Sequence, residues 1–344
     1  MYKENRRDGL CERGKVMIYL GIDVSKKKLD ICLLPDGKGG KRKNKVLDNT
    51  LHSTRQLLDW LGKQNCPPEQ VRITLEPTGT YHEQLCNDLH DAGIYLSIVN
   101  PHRLREFAKG MGILTKTDTV DAFVLACFGE VQKPLPWVPP SPEVRELKSL
   151  LKRRDALLAD VMCERNRLEK AEVTRTPKIV MASIRKILKT LEKEQKAIES
   201  EIARHIDHHP GLKTDMALLT SIKSVGPQLG SNMLMVLRSR EFHSAEQVAA
   251  YLGVVPVERR SGTSVNGRAH LSKIGPPDVR AKLYFAAISA SRFNPHVRAL
   301  YQRLLERGKS KMSALGAAMR KLVHLCYGVL KTALPYDGNY AVSG

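Results

Sequence analysis

No stretch of this 344-residue chain comes near the roughly 18 consecutive apolar residues that a membrane-spanning helix needs. The opening residues, MYKENRRDGLCERGK, are polar throughout and lack the apolar core of a secretory signal. Cysteine is sparse: seven residues, at 11, 32, 66, 86, 127, 163 and 326, odd in number and never spaced Cys-x-x-Cys. That pattern argues against a disulfide framework or a zinc site and suits reduced thiols in a cytoplasm. Negative charge is also short, with 36 Asp and Glu against 56 Lys and Arg, a formal net charge of +20. So large an imbalance points to a polyanionic partner, nucleic acid first, because neutralised phosphates release counterions. An anionic membrane surface would call for a basic amphipathic anchor or a lipid signal, and neither is found.

At this length, with 42% hydrophobic residues, two or three domains are expected rather than one core. From Val16, the runs VMIYLGID, KLDICLL and KVLDN read as three short strands joined by tight turns. STRQLLDWLGKQ (53–64) opens on a capping serine and sets Leu57, Leu58 and Leu61 on one helical face. VRITLE (71–76) reads as a strand, TYHEQLCNDLHDAG (80–93) as a helix stopped by Gly93, and YLSIVN (95–100) as a strand closed by Pro101. TDTVDAFVLACFGE (117–130) reads as a helix capped by Thr117. Hairpin-linked strands followed by alternating helices and strands predict a mixed α/β sheet.

KPLPWVPPSP (133–142), with five prolines in ten residues, marks a domain boundary. Beyond it, 143–172 and 178–206 read as long helices broken at TRTP. Ile184, Ile187, Leu188, Leu191, Ile198 and Ile202 recur at three-and-four spacing, as in an antiparallel hairpin or short coiled coil. The remainder is mostly α-helical: two apolar helices around Val225-Gly226-Pro227, a loop at 253–277, and helices at 278–291, 295–307 and 311–332. The expected division is an N-terminal extension (1–16), an α/β domain (17–132), a linker (133–142), a helical hairpin (143–208), a C-terminal domain (209–335) and a tail (336–344).

Two constellations can carry chemistry. In TKTDTVDA (115–122), Asp118 and Asp121 stand three apart in the first turn of a helix and project from one face. Asp23 ends the first strand and Glu76 ends VRITLE, and strand ends and a helix start in a mixed sheet can converge on one point. Four carboxylates together need a cation. Mg2+ is hard and oxygen-liking, and two such ions clamp the attacking and leaving oxygens of a phosphodiester displacement. The same acids also read as caps and surface charges suited to the helix dipole, and Asp30, Asp36 and Asp91 are rivals that pattern alone does not separate.

The second constellation is ERRSGTSVNGRAHLSKIG (258–275), where Ser261, Thr263, Ser264 and Ser272 lie among Arg259, Arg260, Arg268 and Lys273. Arginine grips phosphate oxygens in pairs, and glycine lets backbone amides come close. Either a hydroxyl attacks phosphorus to form a phosphoserine link, or the loop grips phosphate with no nucleophile. The turn at Gly226 reads as a helix–hairpin–helix that binds the phosphate backbone through its amides, or as an ordinary helical corner. KGGKRKNK (38–45), with Lys41, Arg42, Lys43 and Lys45, reads as a backbone-contacting hairpin or a solvated charge cluster.

Taken together, in this order and at these separations, GIDVSKKKLD, LEPTGTYHEQL, VNPHRLREFAKGMGILTKTDTVDA and RRSGTSVNGRAHLSKIG resemble the DEDD-type transposases of bacterial and archaeal insertion sequences, relatives of the Piv/MooV DNA invertases. The resemblance runs from about 17 to 335. It implies a RuvC-like, RNase H-type N-terminal domain whose metal-binding Asp, Glu, Asp and Asp are Asp23, Glu76, Asp118 and Asp121. It implies a C-terminal domain whose nucleophile is Ser261, the first serine of SGTS, with Ser264 as the fallback. Implied cofactors are Mg2+ or Mn2+ and a non-coding bridge RNA. Implied partners are donor and target DNA, that RNA, and a homodimer pairing to a tetramer in a prokaryotic cytoplasm. The implied activity is site-specific DNA strand exchange. Two other readings stand beside it: a RuvC-type metal-dependent nuclease, in which water attacks, and a non-catalytic nucleic-acid-binding protein.

Overall fold

The computed structural model describes residues 17–339 except 78, 116, 259, 262–264 and 267–269, with the backbone alone at 260, 261, 265 and 266. The chain forms two compact units that divide between Pro139 and Pro140, inside the proline-rich segment. The first unit is built on strands β1 (Ile18–Val24), β2 (Lys28–Leu34) and β3 (Lys43–Asp48), helix α1 (Ser53–Lys63), β4 (Val71–Leu75), α2 (Glu83–Asp91), β5 (Tyr95–Ile98), α3 (Pro101–Gly110) and α4 (Asp118–Gln132). Its sheet runs β3-β2-β1-β4-β5. β1, β2 and β3 pair antiparallel, whereas β1, β4 and β5 pair parallel. This is the mixed sheet expected of a RuvC-like, RNase H-type domain.

Side chains alternate across a strand, and the sheet is covered on both faces. Leu20 and Ile22 of β1, Ile31 of β2 and Ile73 of β4 pack with Leu57 and Leu61 of α1 and Leu89 of α2. Fully buried leucines and isoleucines of this kind contribute roughly 1.5–3 kcal/mol each. On the opposite face, Cys32 and Leu34 meet Ala122, Phe123, Ala126 and Cys127 of α4. The outer side of α4 is covered in turn by Leu104 and Phe107 of α3. Helix α4 is buried continuously from Ala122 to Gly129, which explains its unbroken apolar run AFVLACFG.

Helix α3 was not anticipated, although Asn100-Pro101 is a start signal. Asn100 Oδ1 accepts the His102 N–H at 2.8 Å, and Pro101 occupies the first helical position. The proline-rich segment also differs from a free linker. Ser97 Oγ donates to the carbonyls of Pro134 (3.0 Å) and Leu135 (2.8 Å), and the Trp137 N–H donates to Leu96 O at 2.7 Å. The segment thus straps the outer edge of β5, a place where residues without an N–H are tolerated.

The second unit opens with the antiparallel pair α5 (Pro142–Val173) and α6 (Lys178–His208), followed by α7 (Pro210–Thr220), α8 (Pro227–Arg238) and α9 (Ala245–Tyr251). Four two-residue strands come next: β6 (Pro256–Val257), β7 (Arg260–Ser261), β8 (Val265–Asn266) and β9 (His270–Leu271). Helices α10 (Pro277–Phe293), α11 (Pro295–Glu306) and α12 (Lys311–Thr332) complete it. The helical hairpin is not a separate body. Val144, Leu147 and Leu151 of α5 and Ile202 and Ile206 of α6 share one core with Leu219, Met233, Val248, Leu283 and Leu322. Only the outer part of the α6 stripe stands apart from that core, and Ile187 there is 47% exposed.

Candidate active site

In the parallel pairing of β1 and β4, Ile22 lies opposite Leu75. Asp23 and Glu76 are each the next residue, at the carboxyl ends of adjacent parallel strands. The antiparallel pairing of β1 and β2 sets Asp30 directly across from Asp23. Alternation turns Ile22 and Ile31 toward α1 and α2, so Asp23 and Asp30 take the face that α4 covers. Asp118 and Asp121 occupy the first turn of α4, whose cap is Thr117: its Oγ1 accepts the Val120 N–H at 3.3 Å.

What lets α4 lie so close is the absence of a side chain at Gly21. A Cβ there would stand 2.0 Å from Ala122 O and 2.5 Å from Ala126 N. At the far end of the helix, a Cβ on Gly129 would meet Thr74 Oγ1 at 2.4 Å. Two glycines, one on the strand and one on the helix, therefore set the height of the helix start above the strand ends.

The electrostatics register the convergence. The Asp23 carboxyl is pushed up to about 6, first by burial and then by the charges of Asp121, Asp118, Glu76 and Asp30. One carboxylate thus feels all four of the others. Lys28 partly offsets them, with Nζ 2.7 Å from Asp118 Oδ2 and 3.1 Å from Asp30 Oδ2. Those two carboxylates hold its ammonium above the usual lysine range, Asp118 foremost.

Pattern alone passes over Lys28 and leaves Asp30 only a rival of the four acids. The available signal was their i, i+2 spacing on β2, which puts both on the face of Asp23. Of the rival acids, Asp30 belongs here, whereas Asp91 sits at the end of α2 beside His90, at 3.4 Å. Among the described residues, no three carboxylate, imidazole or thiol groups are gathered tightly enough to chelate one cation unaided. The donors are nevertheless all carboxylate oxygens in mutual repulsion, and that chemistry fits a hard divalent cation such as Mg2+ or Mn2+.

The segment expected to be a loop at 253–277 is an antiparallel excursion. β6 pairs with β9, and β7 pairs with β8, with Ser261 opposite Val265. Two-residue strands are too short to show a period of two, which is why the sequence read as loop. Ser261 lies at the last backbone pair before the tip. Its side chain, with Arg259, Ser264 and Arg268, lies outside the described residues, as does the side chain of Arg260. Lys273 is exposed and sits at φ +56°, with its N–H on Gly253 O at 3.2 Å. Gly253 (φ +68°) and Gly275 (φ +125°) close the base of the excursion, where a Cβ on Gly275 would stand 2.0 Å from Tyr251 O.

The remaining candidate contacts divide. Lys41, Lys43 and Lys45 are exposed, Lys41 before the edge strand β3 and the other two on it. Arg42 is exposed as well, and its guanidinium stacks on the Phe123 ring, 3.4 Å from the centroid. Gly226 caps α8 in an ordinary extended conformation with open space around it, and the left-handed residue of that turn is Ser224, at φ +78°.

Against this geometry, the family model described as a transposase, of the DEDD IS110 type, matches residues 20–171. The model for transposases of the IS116/IS110/IS902 family matches residues 216–302. The chain is 28% identical over 322 residues to the pilin gene-inverting protein of Moraxella bovis, covering 93% of this chain and 97% of that protein. The pilin gene-inverting protein of Moraxella lacunata matches to the same extent. A 43.6 kDa protein of insertion element IS110 from Streptomyces coelicolor is 26% identical over 165 residues, 48% of this chain and 40% of that protein.

Proposed function

Since the chain belongs to the IS110 family of transposases and is therefore a DNA recombinase, we propose that it exchanges DNA strands through a phosphoserine intermediate formed on Ser261. The observation that carries the acid half of this reading is the raised Asp23 carboxyl, which senses Asp121, Asp118, Glu76 and Asp30 at once. Asp23, Glu76, Asp118 and Asp121 would hold Mg2+ or Mn2+, with Asp30 and Lys28 positioning them. Such an ion, when bound, supplies Lewis acidity to a phosphate oxygen and stabilises charge on the leaving oxygen.

The chain's own steps balance without a co-reactant. Ser261 Oγ forms a bond to phosphorus as its proton leaves, the bond from phosphorus to the sugar oxygen breaks, and the sugar departs as a hydroxyl. The phosphodiester energy stays in the protein–DNA ester. A hydroxyl from another strand then attacks that ester, rejoining DNA and freeing the serine. The relatives named for pilin gene inversion favour a site-specific rearrangement of this conservative kind. A bridge RNA that selects donor and target DNA, and a dimer pairing to a tetramer, belong to the same proposal.

The test is a trapped covalent adduct. Wild-type protein with donor DNA and Mg2+, denatured and run on a gel, should show DNA attached to protein. Ser261→Ala should lose adduct and cleavage while keeping DNA binding, and Asp118→Asn should lose both activities. Cleavage without any adduct would replace this reading with the water-attacking nuclease. Full recombination by Ser261→Ala would remove Ser261 from the chemistry.

A further inference from the structure

The corner between α10 and α11 is not used by the reading above. An open cleft of about 340 Å³ lies there, lined by Arg292, Phe293, Pro295, Arg298, Ala299 and Gln302. Pro295, Arg298, Ala299 and Gln302 stand at i, i+3, i+4 and i+7, one face of α11. Arg292 and Phe293 come from the last turn of α10. Phe293 is 68% exposed and, unlike the similarly exposed Phe285, borders this cleft.

The corner is held rigidly from behind. Asn294, fully buried at the apex, accepts the Val297 N–H (3.2 Å) and the Tyr336 hydroxyl (3.0 Å) on Oδ1. Its Nδ2 donates to Lys223 O at 3.2 Å. The cleft is therefore preorganised, so an occupant loses little affinity to ordering it.

Its chemistry is selective. One wall is an aromatic face, the floor is Pro295 and Ala299, and two guanidiniums flank it with no carboxylate among the described residues paired to either. From Val279 to Tyr336 the chain holds eleven Lys and Arg against the single acid Glu306. An apolar protein partner would not need the two cations, and a lone phosphate would not need the ring. A planar aromatic group joined to a phosphate uses all three features: stacking on Phe293, ion pairing with Arg292 and Arg298, and edge hydrogen bonds to Gln302.

We propose that the α10–α11 corner is a subsite for one unpaired nucleotide, its base stacked on Phe293 and its phosphate held by Arg292 and Arg298. It rests on the chain's action on nucleic acid and not on the serine mechanism. An unpaired nucleotide can come from a melted DNA strand or from a single-stranded RNA, and the chemistry of the cleft is common to both.

The test is equilibrium binding of labelled oligonucleotides of one sequence, as single-stranded DNA, single-stranded RNA and blunt duplex, to the full chain carrying Ser261→Ala. That background, with divalent ions chelated, removes cleavage under either the serine or the water-attacking reading, so this assay can fail while the serine mechanism stands, and the adduct assay can fail while this one succeeds. Phe293→Ala should weaken single-strand binding on the order of 5- to 100-fold, leave duplex binding within about twofold, and leave the melting temperature unchanged. Phe293→Trp should restore binding. Arg298→Ala should lower the slope of log affinity against log salt by about 0.7. A larger Phe293→Ala loss on the DNA strand assigns the nucleotide to melted DNA, and a larger loss on the RNA strand assigns it to RNA. The proposal fails if Phe293→Ala binds single strands like the parent, or weakens duplex equally. It also fails if the only change is in the sedimentation of the protein, which would make the corner a protein contact.

Discussion

Asp23 is where the proposed metal-binding role and stability oppose each other. Its carboxyl is raised from 3.8 to about 6 in the fold, so the folded protein binds this proton more tightly than the unfolded chain does. Stability from this group is fully present below about pH 4, declines as pH rises from about 4 to 6, and stays reduced above that. The full shift corresponds to about 3 kcal/mol; with Asp23 only half-buried, about 1–2 kcal/mol is the expected share after solvent screening. Asp23→Asn should therefore be more stable than the parent by about 1–2 kcal/mol at pH 7.5 with divalent ions chelated, and nearly equal to it at pH 4. Urea unfolding at the two pH values measures this. Millimolar Mg2+ should stabilise the parent and not Asp23→Asn, while the substitution removes strand cleavage. Equal stability of the two proteins at pH 7.5 would mean that the acids are not crowded around Asp23.

At the scale of elements, the contact of α4 with β1 decides whether there is a site. Asp118 and Asp121 are brought to Asp23 only because the helix backbone rests on Gly21. Gly21→Ala forces Cβ into Ala122 O, and α4 must lift or slide. A cost of about 2–4 kcal/mol in stability is expected from overpacking against backbone. Cleavage measured well below the new melting temperature should fall at least about 100-fold, since a displacement near 1 Å is enough for that. Gly62→Ala in α1, where a Cβ meets nothing within 4 Å, is the control: unchanged activity and a gain of about 0.5–1 kcal/mol. The helix α4, its cap Thr117 and its acids were legible in TDTVDAFVLACFGE. The importance of Gly21 was not, because a glycine within a strand is silent about what lies 2 Å away until the partner helix is placed.

At the scale of the whole molecule, the two units have separate cores, and the root of the α5–α6 hairpin belongs to the second. A fragment of residues 140–344 should fold alone, with a helical circular dichroism spectrum and a cooperative melt. A fragment starting at residue 209 should not. It lacks Val144, Leu147, Leu151, Ile202 and Ile206, and at roughly 1.5–3 kcal/mol each their loss of about 7–15 kcal/mol matches the entire stability of a typical domain. A cooperative melt from the shorter fragment would show that the hairpin is an appendage after all. Periodicity identified both long helices but not this partnership, since a stripe of Leu and Ile reads alike whether it faces its own hairpin or a neighbouring core.

What the sequence determined by itself is what depends on neighbours along the chain. Strand alternation, helix caps, the proline boundary, the charge imbalance and the order of the four motifs are all local or summed quantities. They sufficed for the mixed sheet and for the family. Only tertiary structure decided that Asp30 and Lys28 join the acids, that Arg42 lies on Phe123, that Ser261 ends a backbone ladder, and that Phe293 stands exposed between two arginines. The first two are relations between residues far apart in sequence, and the last two depend on how a short ladder pairs and how two helices meet at a corner; pairing register and close packing set them, not composition.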